Sequence, residues 1–445
     1  MNSFKRKICQ ALTLVVSGMN AEHVFAAGPI IQGGGSSLVA PLLGSTANPA
    51  TEIGLFGTSE GTFTYYSVGS GAGQYAFLNN QPTFFGAGVT GAVHFANSDA
   101  ALTTAQVTAY NNTGRGTTDG PLIQIPFIVT AITVPIVNGP AVTSSTTPQT
   151  TPGQAHSIAL NDDDLCGIFS GKITNWNQVV NPESGSIYPL NKPIVVVYRT
   201  DASGTTELLT RHLAAVCTSA NTASGVTFRD SMTFADTHVF PWGAPSNFIG
   251  VSASWQVRGS LASLSSNGTA ALAYLSPAYT NTFLAPMSIR VTSTGALQLP
   301  VASLLNTKDR AYYAPTYVNA TKALGRLFPP SIANNAADPT QWAFVSGTNY
   351  INLANPASGY PVSGTSQIIV SQCYSDPAVA TAIHDMLTLH YTNSAFTSIV
   401  RGNGFDMVPP YFQTAIVADF LSNASGFSLD IGNTSVCNPT WYTGR

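Results

Sequence analysis

The 445-residue chain is predicted to fold as an α/β protein. Short runs rich in Val and Ile alternate with stretches that carry apolar residues at helical spacing, and Gly/Ser turns fall where one type gives way to the other. Strands are predicted at Ile123 to Ile128, Ile132 to Val137, Ile194 to Tyr198 and Gln367 to Val370. Helices are predicted over Thr205 to Val216, where Leu208, Leu209, Leu213 and Val216 share a face, and over Pro377 to Tyr391, where Ile383, Leu387 and Tyr391 do so. Two Ser/Thr/Asn/Pro-rich stretches, Asn138 to Gln154 and Asn221 to Gly268, read as long loops.

At the N-terminus, Lys5, Arg6 and Lys7 precede the mostly apolar stretch Ile8 to Val16, and Val24-Phe25-Ala26 offers small residues at −3 and −1. This pattern predicts a signal peptide over residues 1–26 and an exported, periplasmic or secreted product. Without that segment the chain has 14 basic and 19 acidic residues, a balance near −5. The other long apolar run, Leu122 to Val137, is interrupted by Gln124, Pro126, Thr130, Thr133 and Pro135, so no transmembrane anchor is expected.

Charged residues are 8% of the chain, against about 25% in ordinary soluble domains. With a net charge of −3, so few cations exclude a nucleic-acid binder, and 44% apolar residues exclude disorder. Apart from Cys9, the cysteines are Cys166, Cys217, Cys373 and Cys437. An even number in an exported chain points to disulfides with three possible pairings. The favoured one is Cys166–Cys217 with Cys373–Cys437, each within one region of the chain.

The informative pattern occurs three times: a strand-like run, a Gly/Ser turn and a helix-like start. It is present at Gly33-Gly34-Gly35-Ser36-Ser37-Leu38, at Gly69-Ser70-Gly71-Ala72-Gly73 and at Arg199-Thr200-Asp201-Ala202-Ser203-Gly204-Thr205-Thr206. Glycine lets the backbone approach a ligand, and free N–H groups in a helix's first turn favour an anion. Arg199 can donate from its planar fork to two oxygens of a tetrahedral oxyanion, with Asp201 holding the guanidinium. Asp99 follows the strand-like Phe95-Ala96-Asn97-Ser98. A carboxylate beside an anion is repulsive unless the anion carries a proton to give it, which selects phosphate over sulfate.

These segments resemble the phosphate-binding proteins of bacterial phosphate ABC transporters, and more closely their DING branch. The resemblance extends through Leu165-Cys166-Gly167-Ile168-Phe169-Ser170, Ser371-Gln372-Cys373-Tyr374 and Ser435-Val436-Cys437-Asn438, and covers nearly all of the chain after residue 26. It departs in the name-giving start, here Ile30-Ile31-Gln32-Gly33, in Ser37 where Thr is usual, and in a longer loop at Asn48 to Phe63.

The resemblance implies a two-lobed periplasmic-binding-protein-like (type II) fold with two strands crossing the hinge. Lobe one is expected at residues 28–126 plus 362–445 and lobe two at 127–361, with crossings near Pro126 to Pro135 and Tyr360 to Val370. It further implies inorganic phosphate as the ligand. Ser37, Leu38 and Ser70 would donate, Asp99 would accept the phosphate proton, Arg199 would clamp two oxygens, and Ser203, Gly204 and Thr205 would donate from the third loop. A phosphate ABC permease is the implied partner of a monomeric, non-enzymatic receptor without cofactor or metal.

Two other functions are weighed. A secreted DING-like alkaline phosphatase is the main rival, yet no nucleophile elbow is identified, and His94, His156, His212, His238, His384 and His390 lack metal-ligand spacing. Asp162-Asp163-Asp164 lacks the Gly and distal Glu of a calcium loop and reads as the cap of a helix bearing Leu165 and Phe169. An extracellular adhesion or matrix protein would fit the Thr/Asn-rich surface.

Overall fold

The computed structural model describes residues 28–280, 282–286, 298–343 and 347–445; the expected signal peptide at 1–26 lies outside them. Its strands are β1 (Ile30–Gly35), β2 (Thr62–Ser67), β3 (Phe95–Ser98), β4 (Leu122–Ala131), β5 (Ile136–Val137), β6 (Ala159–Leu160), β7 (Val195–Arg199), β8 (Phe248–Val251), β9 (Ala271–Ala273), β10 (Ser303–Asn306), β11 (Ala311–Tyr313), β12 (Ser363–Ser371) and β13 (Asp406–Met407). They form a six-stranded sheet in the order β13-β4-β12-β3-β1-β2, a four-stranded sheet β5-β9-β7-β8 and a three-stranded sheet β11-β10-β6.

Every strand between residues 136 and 313 belongs to the two smaller sheets, and every other strand to the large one. The chain therefore leaves the large sheet after β4 and re-enters it at β12. These two strands are antiparallel neighbours from Leu122↔Ser371 to Ala131↔Ser363. Both are buried at every position, which explains their near-continuous apolar or small-residue sequence. Residues 317–343 return to the large sheet: Thr321 Oγ1 donates to Asp406, Gln124 Nε2 donates to the Pro339 carbonyl, and Trp342 packs on Phe420.

Local chemistry sets the helices. Helix Gly204–Val216 is capped by Ser203, whose Oγ accepts from the Thr206 N–H, and it buries Leu208, Leu209 and Leu213. Helix Pro377–Thr392 begins at a proline after the Asp376 cap and buries Val379, Ile383, Met386, Leu387 and Tyr391. Helix Asp162–Ser170 is capped by Asn161, and Asp164 completes the capping box by accepting from the Asn161 N–H. The acidic run thus supplies the reciprocal half of the cap.

Three expected segments differ. Ile132 to Val137 is a strand only at Ile136–Val137; Thr133 and Pro135 make isolated bridges, and Pro135 has no N–H for a ladder. Asn221 to Gly268 is not loop throughout, since it contains β8 and the helix Ala253–Ser266. Asn48 to Phe63 holds the helix Glu52–Phe56, capped by Thr51, and the start of β2. Glu52 in that helix is fully buried against His390.

The disulfides are Cys166–Cys217 and Cys373–Cys437, with Cα separations of 5.5 and 5.2 Å. The first joins two helices of the smaller-sheet region across 51 residues. Closing a loop of that length constrains the unfolded chain by about 4 kcal/mol. Replacing both Cys166 and Cys217 by serine should lower the thermal unfolding midpoint by several degrees, checked by calorimetry; an unchanged midpoint would refute this contribution.

Candidate functional site

The three Gly/Ser turns meet at one place. Gly35 ends β1 with φ +131°, and a Cβ there would stand 2.2 Å from the Asn97 carbonyl oxygen, so only glycine fits. The turn carries Ser36, Ser37 and Leu38, each at most 1% exposed. From the second turn, Ser70 begins the helix Ser70–Asn79 and its Oγ accepts from the Asp99 N–H at 3.2 Å. The third turn meets the second through the Ala202 carbonyl, which accepts from the Gly71 N–H at 2.9 Å and ties the large-sheet side to the small-sheet side.

Asp99 stands at the end of β3, 3% exposed. Its Oδ1 accepts from Ser36 Oγ at 2.6 Å and from Ser366 Oγ at 2.8 Å, and its Oδ2 from Thr205 Oγ1 at 3.2 Å. Burial pushes its carboxyl above the usual range; the Ser36 and Ser366 hydroxyls, the Arg199 charge and Thr205 oppose that rise. Arg199 ends β7 and is 2% exposed. Its Nε donates to Asp201 Oδ1 at 2.6 Å, its Nη2 to Asp201 Oδ2, and its Nη1 to Ser254 Oγ at 3.2 Å. Asp201 thus contacts the guanidinium through both of its carboxylate oxygens.

Ser37, Leu38, Ser70, Asp99, Arg199, Ser203, Gly204 and Thr205 are accordingly gathered into one buried shell. Leu38 donates its N–H to Ser36 Oγ at 3.1 Å. Ser37 Oγ lies 2.9 Å from Ser254 Oγ and accepts from the Ser254 N–H at 3.2 Å.

Sequence reasoning missed Ser254, Ser366 and the part played by Ser36. Ser254 sits in the first turn of Ala253–Ser266, directly after β8, and so belongs to a fourth strand–turn–helix unit. The signal was present: Val257, Leu261 and Leu264 are spaced four and three residues apart. One Gly-x-Ser-x-Gly string does occur, Gly57-Thr58-Ser59-Glu60-Gly61, contrary to the expectation of none. It runs from a helix into β2, the reverse of a nucleophile elbow, and Ser59 is exposed. Among the described residues no group of three or more His, Cys, Asp or Glu is placed to hold a metal, and no helix is long and apolar enough to cross a membrane.

A family profile described as a PBP superfamily domain matches residues 20–332. The chain belongs to the PBP superfamily. Alkaline phosphatase L of Pseudomonas aeruginosa is 33% identical over 436 residues, 98% of each chain. A phosphate-binding protein from an unknown prokaryotic organism is 31% identical over 84% of this chain and 92% of its own length. Among solved structures, a high affinity periplasmic phosphate-binding protein, PfluDING, bound with phosphate, is 32% identical over 93% of this chain and 99% of its own, with a TM-score of 0.69. A DING protein crystal structure is 30% identical over the same shares, with a TM-score of 0.71. The two-lobed α/β fold and the likeness to DING proteins stated from the sequence are those of this PBP superfamily member.

Proposed function

We propose that this chain captures inorganic phosphate, held between two lobes, as an exported solute-binding protein for phosphate uptake or scavenging. The observation that carries the reading is the pairing of a buried arginine with a buried carboxylate inside one shell of hydroxyl and N–H donors. Arg199 supplies charge and geometry for an oxyanion, and Asp99 supplies an acceptor that only a protonated oxyanion can satisfy. Ser37, Leu38, Ser70, Ser203, Gly204 and Thr205 would donate. The relatives bearing phosphate-binding names and the phosphate-bound PfluDING support the ligand. The disulfides and the relative named as periplasmic support a periplasmic or secreted location.

The division proposed is lobe one at 28–126 plus 362–445 and lobe two at 127–361, with β4 and β12 as the crossing strands. Strand membership supports it, and residues 317–343 fold back onto lobe one. Closure follows from contacts the ligand makes to both lobes at once. Delivery to a phosphate ABC permease is the partner role that fits.

The relatives named alkaline phosphatase favour a second reading, hydrolysis of phosphomonoesters. The hydrogen-bond partners of the six described histidines lie outside this shell, from His94 with Gln32 to His390 with Glu52. We therefore read the site as a receptor without catalysis. Calorimetry is expected to show micromolar or tighter phosphate binding and much weaker sulfate binding. Asp99→Asn should reduce that discrimination by about tenfold or more, since the lost acceptor is a charged hydrogen-bond partner. No heat with phosphate, or equal binding of both anions by the unsubstituted chain, would overturn the reading. Turnover of a phosphomonoester that disappears in Arg199→Ala would establish the phosphatase instead.

A further inference from the structure

The hydroxyls around Asp99 are unevenly distributed. An ionised carboxylate offers about four acceptor positions, two on each oxygen. Ser36 and Ser366 fill both positions on Oδ1, at 2.6 and 2.8 Å, whereas Oδ2 has Thr205 alone at 3.2 Å. The open acceptor position is therefore on Oδ2. The two serines come from opposite sides: Ser36 from the turn after β1, and Ser366 from the crossing strand β12.

The strand is shaped at that point. Ser366 pairs with Ile128 but Gln367 pairs with Pro126, so Phe127 is left over as a bulge in β4. Pro126 has no N–H to give the ladder, and the freed Phe127 carbonyl is taken by His390 Nε2 at 2.8 Å. Bulges beside functional sites re-aim side chains, and here the side chain concerned is Ser366.

We propose that Ser36 and Ser366 set the anion specificity of this site by keeping Asp99 an acceptor-only carboxylate whose Oδ2 takes the ligand's proton. The inference rests on the phosphate reading above and adds the groups on which its selectivity depends. Burial alone drives Asp99 toward its protonated form. A protonated Asp99 would be a donor, and a donor accommodates sulfate as readily as phosphate. Two hydroxyls on Oδ1 favour the ionised form and so exclude sulfate. The other ionisable groups facing Asp99 are Arg199 from β7, Tyr65 from β2 and Glu207 from helix Gly204–Val216. Arg199 also favours the ionised carboxylate, while burial holds the Tyr65 hydroxyl and the Glu207 carboxyl well above their ordinary ranges.

The test is calorimetry of the full chain with phosphate and with sulfate between about pH 5 and pH 8. Ser36→Ala and Ser366→Ala should each lower the phosphate-to-sulfate affinity ratio about tenfold, the usual effect of one hydrogen bond to a charged group. Sulfate binding should appear at higher pH in each variant than in the unsubstituted chain, because loss of a donor raises the Asp99 pKa. Ser366→Thr keeps the hydroxyl and should restore the ratio. In an Asp99→Asn background, adding Ser366→Ala should leave the ratio unchanged. If both anions weaken together at an unchanged ratio and pH profile, the serines are merely structural and the proposal is overturned while the phosphate reading stands. If the unsubstituted chain binds no phosphate, both are overturned.

Discussion

Arg199→Ala is expected to weaken phosphate binding by about a thousandfold, the effect of truncating one partner of a buried, hydrogen-bonded charge pair. Three features set that size. Arg199 is 2% exposed, so water cannot replace the guanidinium. Two of its nitrogens are committed to Asp201, which would be left without its cation. Asp99 would then stand near the same anion with no opposing charge, and two carboxylates would repel what the site is built to attract. Arg199→Lys should recover only part of the loss, because an ammonium is a point charge and cannot hold Asp201 and an oxyanion in one plane. Calorimetric titration of both variants checks the order Arg, Lys, Ala. An alanine variant within tenfold of the unsubstituted chain would remove Arg199 from the site.

That residue stands out in the sequence because three local rules agree around it. A Val/Ile run precedes it, Ser203 is a good cap, and Leu208, Leu209 and Leu213 repeat at helical spacing. Ser254 was not legible for the opposite reason. Its helix carries serine at positions 254, 260, 263, 265 and 266, so composition said loop while three apolar residues alone kept the helical period. Ser366 lies in β12, which is buried on both faces; a strand without alternation does not tell which side chain points where. Its bond to Asp99 spans 267 residues and lies where the neighbouring strand bulges, a property of the pairing and not of either segment. The Glu52–His390 pair was hidden likewise, since a Gly/Thr-rich stretch concealed a five-residue helix whose buried carboxylate has meaning only beside a partner 338 residues away.

Gly204→Ala should abolish tight phosphate binding while leaving the fold intact. Gly204 is the first residue of helix Gly204–Val216 and has no positive φ, so an alanine there costs its own helix nothing. The added Cβ would instead stand 2.5 Å from the Ala100 backbone nitrogen, 2.6 Å from Ser70 Oγ and 2.7 Å from Asp99 Cβ. All three belong to the proposed lobe one, whereas Gly204 belongs to lobe two. The clash therefore exists only when the lobes are together. Overpacking against backbone costs about 1–3 kcal/mol, and here that cost falls on the closed state, weakening binding up to about a hundredfold. The thermal midpoint without phosphate should not fall, whereas the rise on adding phosphate should largely vanish, because a ligand stabilises only in proportion to its affinity. Gly259→Ala is the matched control: it lies in a helix with nothing within 4 Å of its added Cβ, and should bind phosphate normally. A Gly204→Ala chain that binds as tightly as this control would mean that closure does not bring Gly204 against Asp99, and the two-lobed clamp would have to be given up.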